Sequence, residues 1–283
     1  MLPALMCHDG KSQKGLGISR STVLRIRKKL QLNVSKRLKS TKVSNAARLR
    51  RQERSQKLAQ RFSKDKRACE RLVFQDEKDF PLQVPVNTQN NRVYHRGLKK
   101  DIPPAHLFAE SNRQSLKLMV SAGLTWHGVT KPFFVNEEGL KVNGPRYLAH
   151  LQQELLPAIR EVYPRENFIF VQDSAPAHAS NVVKNYMKAE LGKRFITPTD
   201  WPSYSPDCNP LDYYFWNDVS TKVYEGRHCQ PFDTLDELKT RIEEVWDQCA
   251  SNLTTIRKSI RQFVPRLKAV VDKEGRSIKT VFR

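Results

Sequence analysis

The sequence predicts an α/β body, a mixed sheet flanked by helices, behind a small basic helical arm. Three observations carry this prediction. Charge is divided unevenly: residues 1–72 hold 21 Lys and Arg against Asp9, Glu53, Asp65 and Glu70, a net of +17, while residues 73–283 hold 29 basic and 25 acidic residues, a net of +4. Two apolar runs of strand length, Leu72-Val73-Phe74 and Phe168-Ile169-Phe170-Val171, each close on Gln-Asp. Strands come first and are followed by helix, strand, helix, the order of a mixed α/β fold. With 283 residues, 39% of them hydrophobic, the chain can bury a sizeable core and is not disordered throughout. No apolar run approaches the ~20 residues of a membrane span. Met1 to Cys7 lacks the basic start and apolar stretch of a signal peptide. The five cysteines, Cys7, Cys69, Cys208, Cys229 and Cys249, are at least 20 positions apart, which gives neither a zinc motif nor a disulfide framework and fits a reducing compartment.

Residues 1–35 form the helical part of the arm. Ser19 is a good N-cap, with Ile18 before it and Val23 after it as the two halves of a hydrophobic staple. Val23, Ile26 and Leu30 then recur at helical spacing, which predicts a helix with one apolar face. This is how the second helix of a helix-turn-helix reads, although any amphipathic basic helix would share the pattern. The DNA-binding candidates are Arg20, Ser21, Thr22, Arg25, Arg27 and Lys28, early residues for base edges and later ones for phosphates. Lys36, Arg37 and Lys39 extend them beyond the helix. Residues 36–70 read as a basic linker in which Ala46 to Phe62 has helical character but few apolar residues, and Arg48, Arg50, Arg51 and Arg54 cluster. Such runs suit a phosphate backbone or a nuclear import signal.

In the body, continuous apolar runs read as strands buried on both faces, and an acid at the carboxyl end of such a strand sits where open sheets place their sites. Asp76 and Asp173 hold these positions. Leu116 to Leu124 alternates like a half-buried strand, and Pro132 to Val135 reads as its neighbour. Tyr147 to Tyr163 predicts a helix that Pro157 kinks or breaks near Leu156. Ala179 to Leu191 predicts another, with Val182, Val183, Tyr186, Met187 and Leu191 inward. His178 reads first as part of that helix start, and second as a group that orients a carboxylate or a water.

Prolines 202, 206 and 210 then order an extended loop. Asn209 caps the following helix and Pro210 takes its first position, where a missing amide costs nothing. Leu211, Phe215, Val219 and Val223 form the buried face, leaving Asp212 at its edge. Alone, Asp212 need do no more than favour the helix dipole, worth ~0.3–1 kcal/mol. Residues 226–283 read as a helical extension. It has a capping box at Thr234 and Glu237 and a second helix from Leu253 to Val271, kinked at Pro265, and either covers the sheet or aids dimerisation.

Asp76, Asp173 and Asp212 thus stand at the ends of three regular elements. Carboxylates suit Mg²⁺ or Mn²⁺, and no Cys/His set offers zinc a competing site. Two such ions a few ångströms apart activate an attacking oxygen and stabilise the leaving oxygen of a phosphodiester. A basic arm joined to three carboxylates therefore points to phosphodiester chemistry on nucleic acid.

At these residues the chain resembles the mariner superfamily of DDE/D transposases. The matching stretches are Val73-Phe74-Gln75-Asp76-Glu77-Lys78, Val171-Gln172-Asp173-Ser174-Ala175-Pro176-Ala177-His178, and Trp201 to Asp207 followed by Asn209-Pro210-Leu211-Asp212. The resemblance implies an RNase H-like catalytic domain over 71–225, with Asp76, Asp173 and Asp212 as the triad holding two Mg²⁺ or Mn²⁺ ions. It places the third acid on the helix, ahead of its competitors Asp200 and Asp207. The implied reaction is hydrolytic nicking of double-stranded DNA at terminal inverted repeats, then strand transfer into target DNA by the freed 3′-hydroxyl. The implied assembly is a homodimer holding two ends, acting in the nucleus and not at a membrane. Family members usually carry two helix-turn-helix units, and residues 1–35 supply at most one. The alternative is a truncated or domesticated transposase-derived DNA-binding protein without catalysis, and a third reading is an RNA-binding or RNase H-type nuclease.

Overall fold

The structure, a computed structural model, describes residues 20–31, 43–65, 67–84, 116–136, 142–227, 230–279 and 281–282. The chain forms two units, Met1–Lys42 and Val43–Arg283. In the first, α1 (Arg20–Lys29) is the helix expected after Ser19. Of the apolar face expected there, Ile26 on the helix and Leu30 just beyond it are exposed, as is Leu24. Lys36, Arg37 and Lys39 lie outside the described residues.

The second unit begins 28 residues before the body expected from residue 71, because much of the expected linker is folded into it. Its first element, α2 (Asn45–Ser63), buries Ala47, Arg51, Ser55, Leu58, Ala59 and Phe62. A single helical turn, Ala68–Arg71, leads into β1 (Leu72–Pro81). β2 (Lys117–Thr125), β3 (Gly128–Val129) and β4 (Phe133–Phe134) follow as the expected neighbouring strands, with β4 antiparallel to β2. From Val120 onward every residue of β2 is buried, not alternate ones, because helices cover both faces of the sheet.

Next come α3 (Gly144–His150), a π-helical turn (Leu151–Leu155) and α4 (Leu156–Val162) in one continuous rod. Pro157 has no amide to close an ordinary turn, and the wider turn before it takes up the mismatch in place of a break. β5 (Ile169–Val171), α5 (Asn181–Leu191) and β6 (Phe195–Ile196) complete the sheet, whose order is β3-β2-β1-β5-β6. On α5 Val183, Met187 and Leu191 turn inward as expected, but Val182 is exposed. A second π-helical turn, Leu211–Phe215, opens α6 (Trp216–Val223). α7 (Leu235–Ala250), α8 (Leu253–Arg261) and α9 (Phe263–Asp272) close the unit, and the break at Gln262 precedes Pro265.

Alternation along β1 sends neighbours to opposite faces. Val73 packs with Phe170, Leu151, Leu155 and Met187 on one side. Phe74 packs with Leu124, Phe215, Trp246 and Phe263 on the other, so the C-terminal helices cover the sheet.

One buried ion pair ties three distant segments together. Arg51 Nη2 donates to both carboxylate oxygens of Asp207, at 2.7 and 2.8 Å. Arg51 Nη1 donates to the carbonyl of Tyr204, a residue held in the left-handed region at φ +55°. Arg266 Nη1 donates to the carbonyl of Asp207, and the amide of Ile278 donates to its carboxylate. Removing one partner would strand a buried charge. Arg51→Ala and Asp207→Ala should therefore each lower unfolding free energy by about 3–5 kcal/mol in urea titrations, with the double variant losing less than the sum. A loss below about 1 kcal/mol in either single variant would contradict this role.

Candidate active site

The parallel register Leu72↔Ile169, Val73↔Phe170, Phe74↔Val171 ends two residues before the acids, and so brings Asp76 and Asp173 level. Asp173 lies just beyond β5, as expected. Asp76 does not end its strand, because antiparallel pairing with β2 continues through Asp76↔Ala122 to Pro81↔Lys117. Asp212 arrives from the other side. Asn209 caps its helix by accepting from the amide of Leu211 at 3.1 Å, while its Nδ2 donates to the carbonyl of Gln75 at 3.3 Å. The cap thereby pins the helix start to β1 beside Asp76. Asp212 hydrogen-bonds Asp76, and Trp216, one turn later, donates its indole N–H to Asp76 Oδ2 at 2.8 Å. The three acids line one cavity of about 490 Å³ together with Glu77, Trp201 and Tyr204.

Charge in this cavity is tightly managed. Burial pushes the Asp76 carboxyl well above the usual carboxylate range, and Asp212, Glu77 and Asp173 push it further, against the Trp216 hydrogen bond. Desolvation and the charge of Asp173 raise Asp212 to about 7, against the pull of Lys78. Both shifts favour the protonated carboxyl, and the two groups are hydrogen-bonded to one another. Burial would also raise Asp173, but the hydrogen bond and charge of His178, with the amide of Ala175, hold it below its ordinary value. His178 is buried between two carboxylates, Nδ1 2.6 Å from Asp173 Oδ1 and Nε2 3.2 Å from Glu77 Oε2. Burial works against its charge, yet Glu77 and Asp173 raise it to about 10. Tyr147 packs on its ring, with centroids 4.2 Å apart. The Tyr147 hydroxyl meets the side-chain amides of Gln75 and Gln172, and Gln75 in turn hydrogen-bonds Glu77.

Residues 71–239 match the family model described as DDE superfamily endonuclease. The chain belongs to the DDE superfamily endonucleases. It is similar to the transposable element Tc3 transposase of Caenorhabditis elegans, at 28% identity over 273 residues, 95% of this chain and 75% of that one. In fold it is similar to the Mos1 transposase paired-end complex with left transposon end, with TM-score 0.74 at 20% identity over 95% of this chain and 74% of that one. The mariner Mos1 paired-end complex with Mg gives TM-score 0.74 at 20% identity, over 94% and 74%. The RNase H-like fold and the DDE membership expected from the motifs are therefore shown.

In this DDE endonuclease the competitors for the third acid are otherwise engaged. Asp207 is bound to Arg51, and Asp200 accepts from the hydroxyl of Thr197 at 2.6 Å. His178 orients a carboxylate and stands before α5, not in its cap: the helix begins at Asn181, with Ser180 in the cap position. Glu77 and Tyr147 escaped the sequence reading, although Glu77 follows Asp76 directly. Trp201 is a core anchor stacked on Phe263 at 6.1 Å, and Trp126 packs against Arg257 and Arg261. Of the DNA-binding candidates, Arg25 and Lys28 are exposed on α1, and Arg20, Ser21, Thr22 and Arg27 share that helix, in the separate first unit.

The donor set of the DDE cavity fits a hard divalent cation. Its three acids offer carboxylate oxygens, and two of them are raised by burial and by their acidic neighbours. Among the described residues no three His, Cys, Asp or Glu side chains close on a single ion. This matches how the acids meet, Asp76 with Asp212 and Asp173 turned to His178.

The raised carboxyls make stability depend on pH. A carboxyl raised to about 7 contributes stability that is complete below its unfolded value near 4 and is lost as pH rises through about 7. In EDTA, wild type should lose thermal stability over that window relative to Asp212→Asn, whose amide carries no charge. His178 titrates identically in both chains and cancels in the difference. A difference in melting temperature that stays constant from pH 4.5 to 8 would refute the raised carboxyl of Asp212.

Proposed function

We propose that the body hydrolyses DNA phosphodiesters at transposon ends and transfers the freed 3′-hydroxyl into target DNA, using two Mg²⁺ or Mn²⁺ ions. The observation that carries this reading is the convergence of Asp76, Asp173 and Asp212 on one cavity, with the carboxyls of Asp76 and Asp212 raised. Bound there, divalent ions would activate the attacking oxygen and stabilise the leaving one.

The chain's own residues prepare for this. Asp76, Asp173 and Asp212 offer the oxygens. Trp216 fixes the Asp76 carboxylate by its Oδ2, leaving the other oxygen for Asp212 or a cation. His178 fixes Asp173 by its Oδ1, leaving Oδ2 for a cation. The protonated form favoured at Asp76 and Asp212 gives way as positive charge enters, so binding should release protons and strengthen with pH. Double-stranded DNA is the partner in this reading, supported by the basic arm and by the transposon-end DNA named with Mos1. Holding two ends together calls for a homodimer. The basic runs of the arm suit import to the nucleus.

The test is cleavage of duplexes carrying the element's terminal repeats by the purified chain in Mg²⁺ or Mn²⁺. Asp76→Ala, Asp173→Ala and Asp212→Ala should each cost at least about 10²-fold in rate while circular dichroism stays native. Wild-type chain that binds these duplexes tightly but cleaves under neither ion would replace this reading with DNA binding alone. Full cleavage by Asp212→Ala would remove that residue from the triad.

A further inference from the structure

We propose that the solvent face of α2 is a track for the phosphate backbone of duplex DNA flanking the cleaved bond. The inference rests on the DNA-cleaving reading above and adds a surface to it. Four cations, Arg50, Arg54, Lys57 and Arg61, follow one another at spacings of 4, 3 and 4 residues and so share one helix face. The opposite face carries Leu58 and Phe62 into the core and Arg51 into its ion pair with Asp207, so the stripe cannot roll inward. The four cations line a cleft of about 420 Å³ with Glu53, Thr199 and Asp200.

That cleft shares a wall with the catalytic cavity. Arg54 Nη1 donates to the carbonyl of Trp201 at 3.1 Å and to the hydroxyl of Ser203 at 3.0 Å, and both residues also line the cavity of the three acids. Arg61 Nη2 donates to the carbonyl of Lys193 at 2.9 Å. These partners are neutral oxygens, which fix the guanidinium groups without cancelling their charge. The two acids of the cleft offset part of the stripe, since Glu53 pairs with Lys57 at 2.7 Å and Asp200, which accepts from Thr197, lines the same cleft, so four cations against two acids leave a net positive surface.

The geometry selects a regular polyanion. Arg50 to Arg61 covers about 16 Å at 1.5 Å per residue. One strand of a duplex presents about five phosphates over that length, at 3.4 Å each. Cations in a row, ending beside carboxylates that act on a phosphodiester, suit the same DNA continuing past the cleaved bond. An acidic protein segment is the competing partner and is decided by the test.

The test compares the full chain with the triple variant Arg50→Gln, Lys57→Gln, Arg61→Gln, leaving Arg54 to hold its loop. Binding is measured in EDTA across a salt series, on a transposon-end duplex that stops at the cleavage point and on one extended by flanking DNA. An unchanged melting temperature establishes that the variant is folded. The expected result is a salt slope on the extended duplex shallower by about 2–3, since each phosphate left unneutralised removes about 0.9 from the slope, with little change on the short duplex. Equal slopes for the two chains on the extended duplex would overturn the track, as would an equal loss on both duplexes. Loss of polyglutamate binding with the DNA slope intact would overturn it in favour of a protein partner. Wild type that shows the slope difference yet never cleaves in Mg²⁺ would keep the track and sink the nuclease reading.

Discussion

Carboxylates brought into one cavity repel one another, and much of this body is arranged to hold three of them there. The repulsion is met locally by protons and by one imidazolium. Asp76 and Asp212 are hydrogen-bonded with both carboxyls raised, and Asp173 is held by His178, which reaches back to Glu77. The acids outnumber the one imidazolium among them, so the cavity favours added positive charge. Burial and like charge favour the protonated carboxyls at low pH, and a cation competes better with that proton as pH rises.

Bringing the acids together depends on backbone register more than on their side chains. Parallel pairing of β1 with β5 sets Asp76 beside Asp173, and a shift of one residue would turn Asp76 to the opposite face. Asp212 comes from a helix whose cap, Asn209, is bonded to the carbonyl next to Asp76. The loop before that cap is held by Arg51 and Arg266 through Asp207 and the carbonyl of Tyr204. A buried ion pair of this kind gives little net stability over an apolar replacement, but only one loop path satisfies all its hydrogen bonds. Here that path delivers the third acid.

How much of this the sequence discloses follows from the range of each interaction. The strand cores, the Asn209 cap, the spacing Leu211, Phe215, Val219, Val223 and the capping box at Thr234 are local, and the structure reproduces them. The fate of Arg51 is not local. In a run with Arg48, Arg50 and Arg54 it reads as one more solvated cation, yet its partner Asp207 is 156 positions away. The stretch taken for a linker is a core helix for the same reason: its few apolar residues suffice because Arg51 and Ser55 are buried with them. His178 and Glu77 lie next to the motif acids, but their meeting depends on the turn after β5 folding back over β1. Strand length misled at Asp76 because two neighbours of β1 end at different places, β5 early and β2 late.

The same helix shows how this body uses a surplus of positive charge without quenching its own site. A guanidinium free to reach the cavity would pair with the carboxylates and exclude a metal. Arg51 and Arg266 are committed to Asp207, and Arg54 is spent on neutral oxygens at the cavity wall. Lys78 pulls on Asp212 from nearby while its ammonium lies 5.9 Å over the ring of Phe80. The cation in direct contact with a triad acid is His178, buried and fixed at both nitrogens, so it cannot swing out to meet a phosphate. Positive charge is thus kept beside the cavity, where it can hold a polyanion, while the cavity itself remains negative. That separation is maintained for Arg51 by its ion pair with Asp207, and for Arg54 by hydrogen bonds to neutral oxygens that fix the guanidinium without cancelling its charge.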